Sequence, residues 1–190
     1  MKRQRKAWTT KTRAVDASRF LFIDESGAKT NMTRLRGRCK GGSRLYDSTP
    51  HGHWETTTMI AAVGVQGATA PMVIQGATDA AVFRAYVKHV LAPVLTRGQI
   101  VVLDNLASHK GAEIRAMIEA AGAALWFLPP YSPDFNPIEK LWSKVKAFLR
   151  AVKARGTEQL YQAIGAALEK VTPQDAHGWF ASCGYRYDKS

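Results

Sequence analysis

Two short apolar runs constrain this chain most: RFLFIDES at residues 19–26 and QIVVLDN at residues 99–105, each reaching an aspartate at its carboxyl end. Apolar runs of this length, rich in β-branched and aromatic residues, have the signature of strands buried on both faces. Such strands need cover above and below, and the rest of the sequence supplies it. TDAAVFRAYVKHVLAPVL (78–95) opens on a Thr78 or Asp79 cap and repeats Val82, Phe83, Tyr86, Val87, Val90 and Leu91 at helical spacing. SHKGAEIRAMIEAAG (108–122) reads as a helix capped by Ser108 and stopped by Gly122. From Pro137 onward Ile138, Leu141, Trp142, Val145, Phe148, Leu149 and Val152 lie on one stripe. Two further helices follow, TEQLYQAIGAALEKV and TPQDAHGWFASCG, the second opened by Thr172 with Pro173 at its first position.

ETTTMIAAVGV and PMVIQG read as strands joined through QGATA in a hairpin, and AALWFLPP as a short strand closed by prolines. The order strand, strand, strand, helix, strand, helix, strand, helix, with helices appended, predicts an α/β domain with a mixed or partly parallel sheet. At 190 residues the chain suits one cored domain. No apolar run is long enough to span a bilayer, and no apolar stretch follows the basic start as in a signal peptide. Cys39 and Cys183 stand far apart in no ligand-like spacing, which points to a reducing compartment, the cytoplasm.

Charge is the strongest bulk property. Lys and Arg number 27 against 15 acids, a net +12, and 13 of those cations fall within the first 46 residues. Residues 1–18 read as a flexible basic arm ahead of a domain at 19–190, and residues 27–54 as a long basic loop carrying Arg34, Arg36 and Arg38. A third cluster, Lys140, Lys144, Lys146, Arg150, Lys153 and Arg155, follows Glu139 without an intervening acid. Clustered positive charge favours a polyanion partner, because each neutralised phosphate releases counterions.

Three carboxylates invite chemistry. Asp24 and Asp104 end their strands, where ligand sites of open α/β sheets gather. If the strands are parallel neighbours, the two acids lie side by side and favour a cation between them. Hard divalent ions take oxygen ligands, and a third carboxylate such as Glu139 would complete a two-metal site. Each acid also has a local reading. Either aspartate suits an Asx-turn, and Asn136, Pro137 and Glu139 together have the form of a capping box.

LFIDESG, VVLDNLASHK and LPPYSPDFNPIEKLWSKVK, with 34 residues between Asp104 and Glu139, resemble the catalytic domain of a DDE transposase. The likeness is to the bacterial insertion-sequence branch of the mariner superfamily, and it extends through PHGHWETTTMIAAV, APMVIQG and FASCGY. It implies a ribonuclease H-like fold, a five-stranded mixed sheet flanked by helices, as in retroviral integrases. It implies that Asp24, Asp104 and Glu139 bind two Mg²⁺ ions, with Mn²⁺ able to substitute. The implied reaction is hydrolysis at transposon ends, then attack of the freed 3′-hydroxyl on target DNA, usually at TA. The implied partners are double-stranded DNA and a second copy of the chain or a larger assembly, with no membrane and no small-molecule substrate. The implied setting is the nucleoid of a prokaryote.

Arg34, Arg36, Arg38, His109, Lys110, Lys140 and Lys144 are the candidate DNA contacts. His51 and His53 are read as loop residues. Relatives carry helix-turn-helix domains ahead of the catalytic domain, whereas 18 residues precede the first strand here; the expectation is either one product of a split or frameshifted reading frame or a truncated remnant lacking that part. The rival expectations are a less specific metal-dependent nuclease and a non-catalytic DNA-binding remnant or regulator.

Overall fold

The computed structural model describes residues 1–48, 50–51, 54–105 and 111–187. Five strands form one sheet: β1 (Phe20–Lys29), β2 (Thr56–Gly64), β3 (Gly67–Gln75), β4 (Ile100–Leu103) and β5 (Ala124–Phe127), in the order β3-β2-β1-β4-β5. β1 runs antiparallel to β2 and parallel to β4, and β4 runs parallel to β5. The expected mixed sheet is therefore present, with the two aspartate-bearing strands adjacent and parallel, but β1 continues past Asp24 to Lys29, so only Asp104 stands at a strand end.

Alternation explains why those runs are apolar throughout. Phe20, Phe22, Ile100 and Val102 face one layer, and Leu21, Ile23, Val101 and Leu103 face the other. The first layer is closed by α4 (Ile138–Val152), α5 (Thr157–Glu169) and α6 (Pro173–Ser182), through Leu141, Trp142, Val145, Ile164 and Phe180. The second is closed by α2 (Ala80–Tyr86) and α3 (Ala112–Ala120), through Phe83, Tyr86, Ile114 and Ile118. Burying about ten such side chains at 1.5–3 kcal/mol each is what holds the sheet between its helices.

The β2–β3 hairpin turns on two residues between Gly64 and Gly67, tighter than the predicted QGATA connection. Farther along, Ala70 and Pro71 fall between the partners of Ala62 and Ile60. Ala70 takes φ +49° there, the conformation of a bulge, and Pro71 is tolerated because β3 is an edge strand. The helix expected over 78–95 is broken: Asp79 caps it, accepting from the Val82 N–H at 2.8 Å, but after Tyr86 it continues as a wider π turn and then a tight turn into Pro93. Proline at 93 lacks the N–H that an α-helix would use.

Two boundaries and one whole element differ from the sequence reading. β1 extends to Lys29, so the basic loop begins at residue 30 and not at 27. Residues 2–13 form a helix, α1 (Lys2–Arg13), where a flexible arm was expected. Trp8 is buried against Trp126, with ring centroids 6.1 Å apart, and its indole N–H donates to the Tyr185 hydroxyl at 3.1 Å. The Tyr185 hydroxyl in turn donates to the Phe135 carbonyl at 2.6 Å. Lys11 stands over the Trp126 ring at 3.3 Å, and Arg5 forks onto Asp134. One buried aromatic thus converts a basic stretch with good helix formers into a docked element.

Candidate active site

The sheet register brings the first two acids together. Phe22 pairs with Val102 across the parallel strands, and Asp24 and Asp104 each lie two residues farther on. Two residues is one full strand period, so both carboxylates leave the sheet on the face that α4 covers. Glu139 sits in the first turn of α4. All three line one cleft of about 410 Å³, together with Asn105, Asn136 and the turn from Leu128 to Pro133. Asp24 and Glu139 also line a second cleft of about 340 Å³ with Glu25, Ser143, Lys146 and Arg150. The two acids therefore stand between an apolar-walled cleft and one where Lys146 and Arg150 face Asp24, Glu25 and Glu139.

Electrostatics mark Asp24 out. Partial burial pushes its carboxyl up to about 7, and the neighbouring Glu139, Asp104 and Glu25 charges push the same way, against one hydrogen bond from the Glu25 N–H at 2.8 Å. A carboxylate in that setting either holds a proton or needs a cation. The donors available are oxygens only: three carboxylates, the Asn105 side chain, and Asn136, which is 4% exposed and whose Oδ1 has no hydrogen-bond partner among the described residues. An all-oxygen set is what hard divalent cations accept. Among the described residues no three His, Cys, Asp or Glu side chains are drawn together closely enough to hold an ion by themselves.

The capping-box reading of Asn136 and Glu139 is not what forms. The helix begins on Pro137 with no side-chain cap, and only the Asn136 carbonyl is used, accepting from the Glu139 N–H at 3.2 Å. Asn136 is extended, as a residue before proline tends to be, and its side chain lies in the cleft wall instead of over the helix end. Glu139 is exposed there and is not held in a reciprocal cap. A capping box does exist at α6, where Thr172 and Asp175 exchange hydrogen bonds.

The other candidates divide. Lys144 is committed elsewhere: its ammonium donates to Asp175 and to the Lys170 carbonyl, tying α4 to α6. Lys140 is exposed, and its charge acts on Cys183 at the end of α6. Arg34, Arg36 and Arg38 are exposed in the loop after β1. His109, Lys110, His53 and the expected Ser108 cap lie outside the described residues; α3 itself begins after Gly111 without a side-chain cap. Lys146 and Arg150 were passed over as site residues. They lie seven and eleven positions after Glu139, so three or four residues per turn carry them along the same helix face, a spacing that was legible in the sequence.

Residues 19–161, three quarters of the chain, match the family described as DDE superfamily endonuclease. No curated protein matches the sequence. Among solved structures, the Mos1 transposase paired-end complex with the left transposon end matches at a TM-score of 0.64 and 16% identity, covering 98% of this chain and 62% of that one. The Mos1 transposase catalytic domain with Raltegravir and Mg matches at 0.64 and 15%, covering 98% and 94%. The mariner Mos1 paired-end complex with Mg matches at 0.57 and 17%, covering 99% and 63%. The chain thus spans less than two thirds of the longer Mos1 chain and nearly all of the catalytic domain, and the expected ribonuclease H-like fold is the one it has. With the family match covering both aspartate strands and α4, the chain belongs to the DDE endonuclease superfamily.

Proposed function

We propose that this chain is the catalytic domain of a transposase of the bacterial insertion-sequence branch. In this reading it cuts DNA at transposon ends and joins the freed 3′-hydroxyl to target DNA, with TA as the target dinucleotide. The observation that carries the reading is the placement of Asp24, Asp104 and Glu139 around one cleft, the first two by strand register and the third by the first turn of a rigid helix. Asp24, Asp104 and Glu139 would hold two Mg²⁺ ions, or Mn²⁺ in their place. Bound there, such ions supply Lewis-acid stabilisation of the attacking and leaving oxygens of a phosphodiester. That Mos1 complexes contain Mg, Mn and transposon-end DNA supports the choice.

The chain's own residues do the rest. Asp24, half-buried and crowded by like charge, is poised to exchange its proton for a cation. Glu139 is kept from drifting by α4, whose Leu141, Trp142 and Val145 are locked in the core. Lys146 and Arg150 line the second cleft beside the same acids, where they would hold the phosphates of the strand that leads to the scissile bond. Arg34, Arg36 and Arg38 would contact more distant phosphates. Assembly as a dimer or larger complex on DNA in the prokaryotic cytoplasm completes the proposal. Among the described residues no helix is long and apolar enough to cross a membrane.

Nicking of supercoiled plasmid with Mg²⁺ or Mn²⁺ tests the reading, with Asp24→Asn, Asp104→Ala and Glu139→Gln each expected to abolish it. Cleavage that survives all three substitutions would end the triad assignment. Folded wild-type protein that binds DNA and never nicks it would favour a DNA-binding regulator instead.

A further inference from the structure

After α6, Gly184 takes φ +88° and turns the chain so that Tyr185, the last residue of FASCGY, re-enters the core at 3% exposure. There it meets both elements that carry the acids. Its ring lies 5.3 Å from that of Phe20 and 5.0 Å from that of Phe22, centroid to centroid. Phe20 and Phe22 precede Asp24 on the same face of β1, at two-residue steps. The Tyr185 hydroxyl donates to the Phe135 carbonyl at 2.6 Å, and the next carbonyl, that of Asn136, accepts from the Glu139 N–H at 3.2 Å. One side chain thus touches the strand behind Asp24 and the segment that starts the Glu139 helix.

The direction of that hydroxyl is fixed. The Trp8 indole N–H can only donate and reaches the hydroxyl oxygen at 3.1 Å, while the Phe135 carbonyl can only accept. The phenol proton therefore points to Phe135, and burial pushes the phenol well above its ordinary range, so the proton stays there. Hydrogen bonds in such a chain polarise and strengthen one another. Packing alone would be served by phenylalanine; the hydroxyl adds a link between the two acid-bearing elements.

We infer that Tyr185 is a positioning residue for the acid site: its ring and hydroxyl together set the separation of Asp24 and Glu139, and Trp8 orients the hydroxyl. This rests on the metal-holding reading above, since acids on two different elements share an ion only when their spacing is held to a fraction of an ångström.

Tyr185→Phe keeps the ring and removes the link. It is expected to speed hydrogen exchange at the Asn136 and Glu139 amides and to weaken Mn²⁺ binding about tenfold, both read well below the melting temperature. Trp8→Phe keeps an aromatic ring, loses the N–H, and is expected to shift both in the same direction by less. Ile164→Val thins the same core layer without touching the link, and should lower the melting temperature while changing neither. Unchanged exchange at both amides in Tyr185→Phe, or unchanged Mn²⁺ affinity, would overturn the inference. So would an Ile164→Val protein that loses Mn²⁺ affinity equally, because the loss would then follow stability and not the hydroxyl. A wild type that binds no Mn²⁺ would overturn the metal-holding reading, and faster exchange in Tyr185→Phe would still uphold the hold of the hydroxyl on α4.

Discussion

The first 46 residues contain two basic stretches of opposite fate. Residues 2–13 form a helix that puts two of its cations on the protein, Arg5 on Asp134 and Ser132 and Lys11 on the Trp126 ring, while Lys2, Arg3, Lys6 and Arg13 stay exposed. The loop after β1 leaves its cations in water, and its apolar residues with them, Leu35 being 77% and Tyr46 79% exposed. Its ties to the domain are few: Asp47 pairs with Lys153, and Arg155 donates to the Thr30 and Met32 carbonyls. What separates the two is one aromatic residue. Trp8 reaches the core, whereas Tyr46 and Trp54 of the loop stay exposed, so equal charge density does not mean equal anchoring. The same contrast recurs within α4, where Lys144 is bonded to Asp175 and Lys146 lines the second cleft beside Asp24 and Glu139.

Removing the anchor should erase the difference most completely. Trp8→Ala is expected to cost about 3–5 kcal/mol and to open residues 2–13 to proteolysis, as read by thermal melting and limited digestion. An unchanged melting temperature would mean that α1 is held by its charges and not by Trp8. Replacing Arg34, Arg36 and Arg38 together by alanine should do the reverse. Stability should stay within about 0.5 kcal/mol, while the salt dependence of DNA binding, log K against log salt, should flatten by about 2–3.

Within α4, Lys146→Ala with Arg150→Ala should flatten the same slope by about 2 and slow cleavage, and Lys140→Ala should do neither. The smallest effect belongs to Lys144. Its bond, with those from Thr172, holds Asp175 down to about 2 from an ordinary 3.8. A depressed carboxyl stabilises the fold above its ordinary value and loses that contribution as pH falls from about 4 toward 2. Lys144→Ala should therefore move the onset of acid unfolding upward. At neutral pH it should cost no more than about 1 kcal/mol, since the pair is partly exposed.

The parts of the fold that could be read from sequence were those governed by local periodicity. Continuous apolar runs marked β1 and β4, and the 3.6-residue stripe marked α4; of the two aspartates only Asp104 ends its strand, since β1 runs on past Asp24. Helix α1 could not be read, because its anchor, Tyr185, lies 177 residues away. β1 was cut short because Gly27 interrupts ESGAK, although Ser26 and Ala28 are buried in alternation with exposed Gly27 and Lys29. The cap at Asn136 was misread because its spacing matched a motif whose side chain is used elsewhere, while TPQD at 172–175 contained the real one. The Lys144–Asp175 pair was not legible, because a sequence shows charge but not the acid that meets it.

The central claim is that Asp24, Asp104 and Glu139 act as one metal-holding unit. Binding of Mn²⁺ to the folded protein, followed by electron paramagnetic resonance in wild type, Asp104→Ala and Glu139→Gln, tests it most directly. The account predicts saturable binding in wild type, weakened at least about tenfold by either substitution and rising as pH passes about 7, where Asp24 gives up its proton. Equal Mn²⁺ affinity in all three proteins would contradict it.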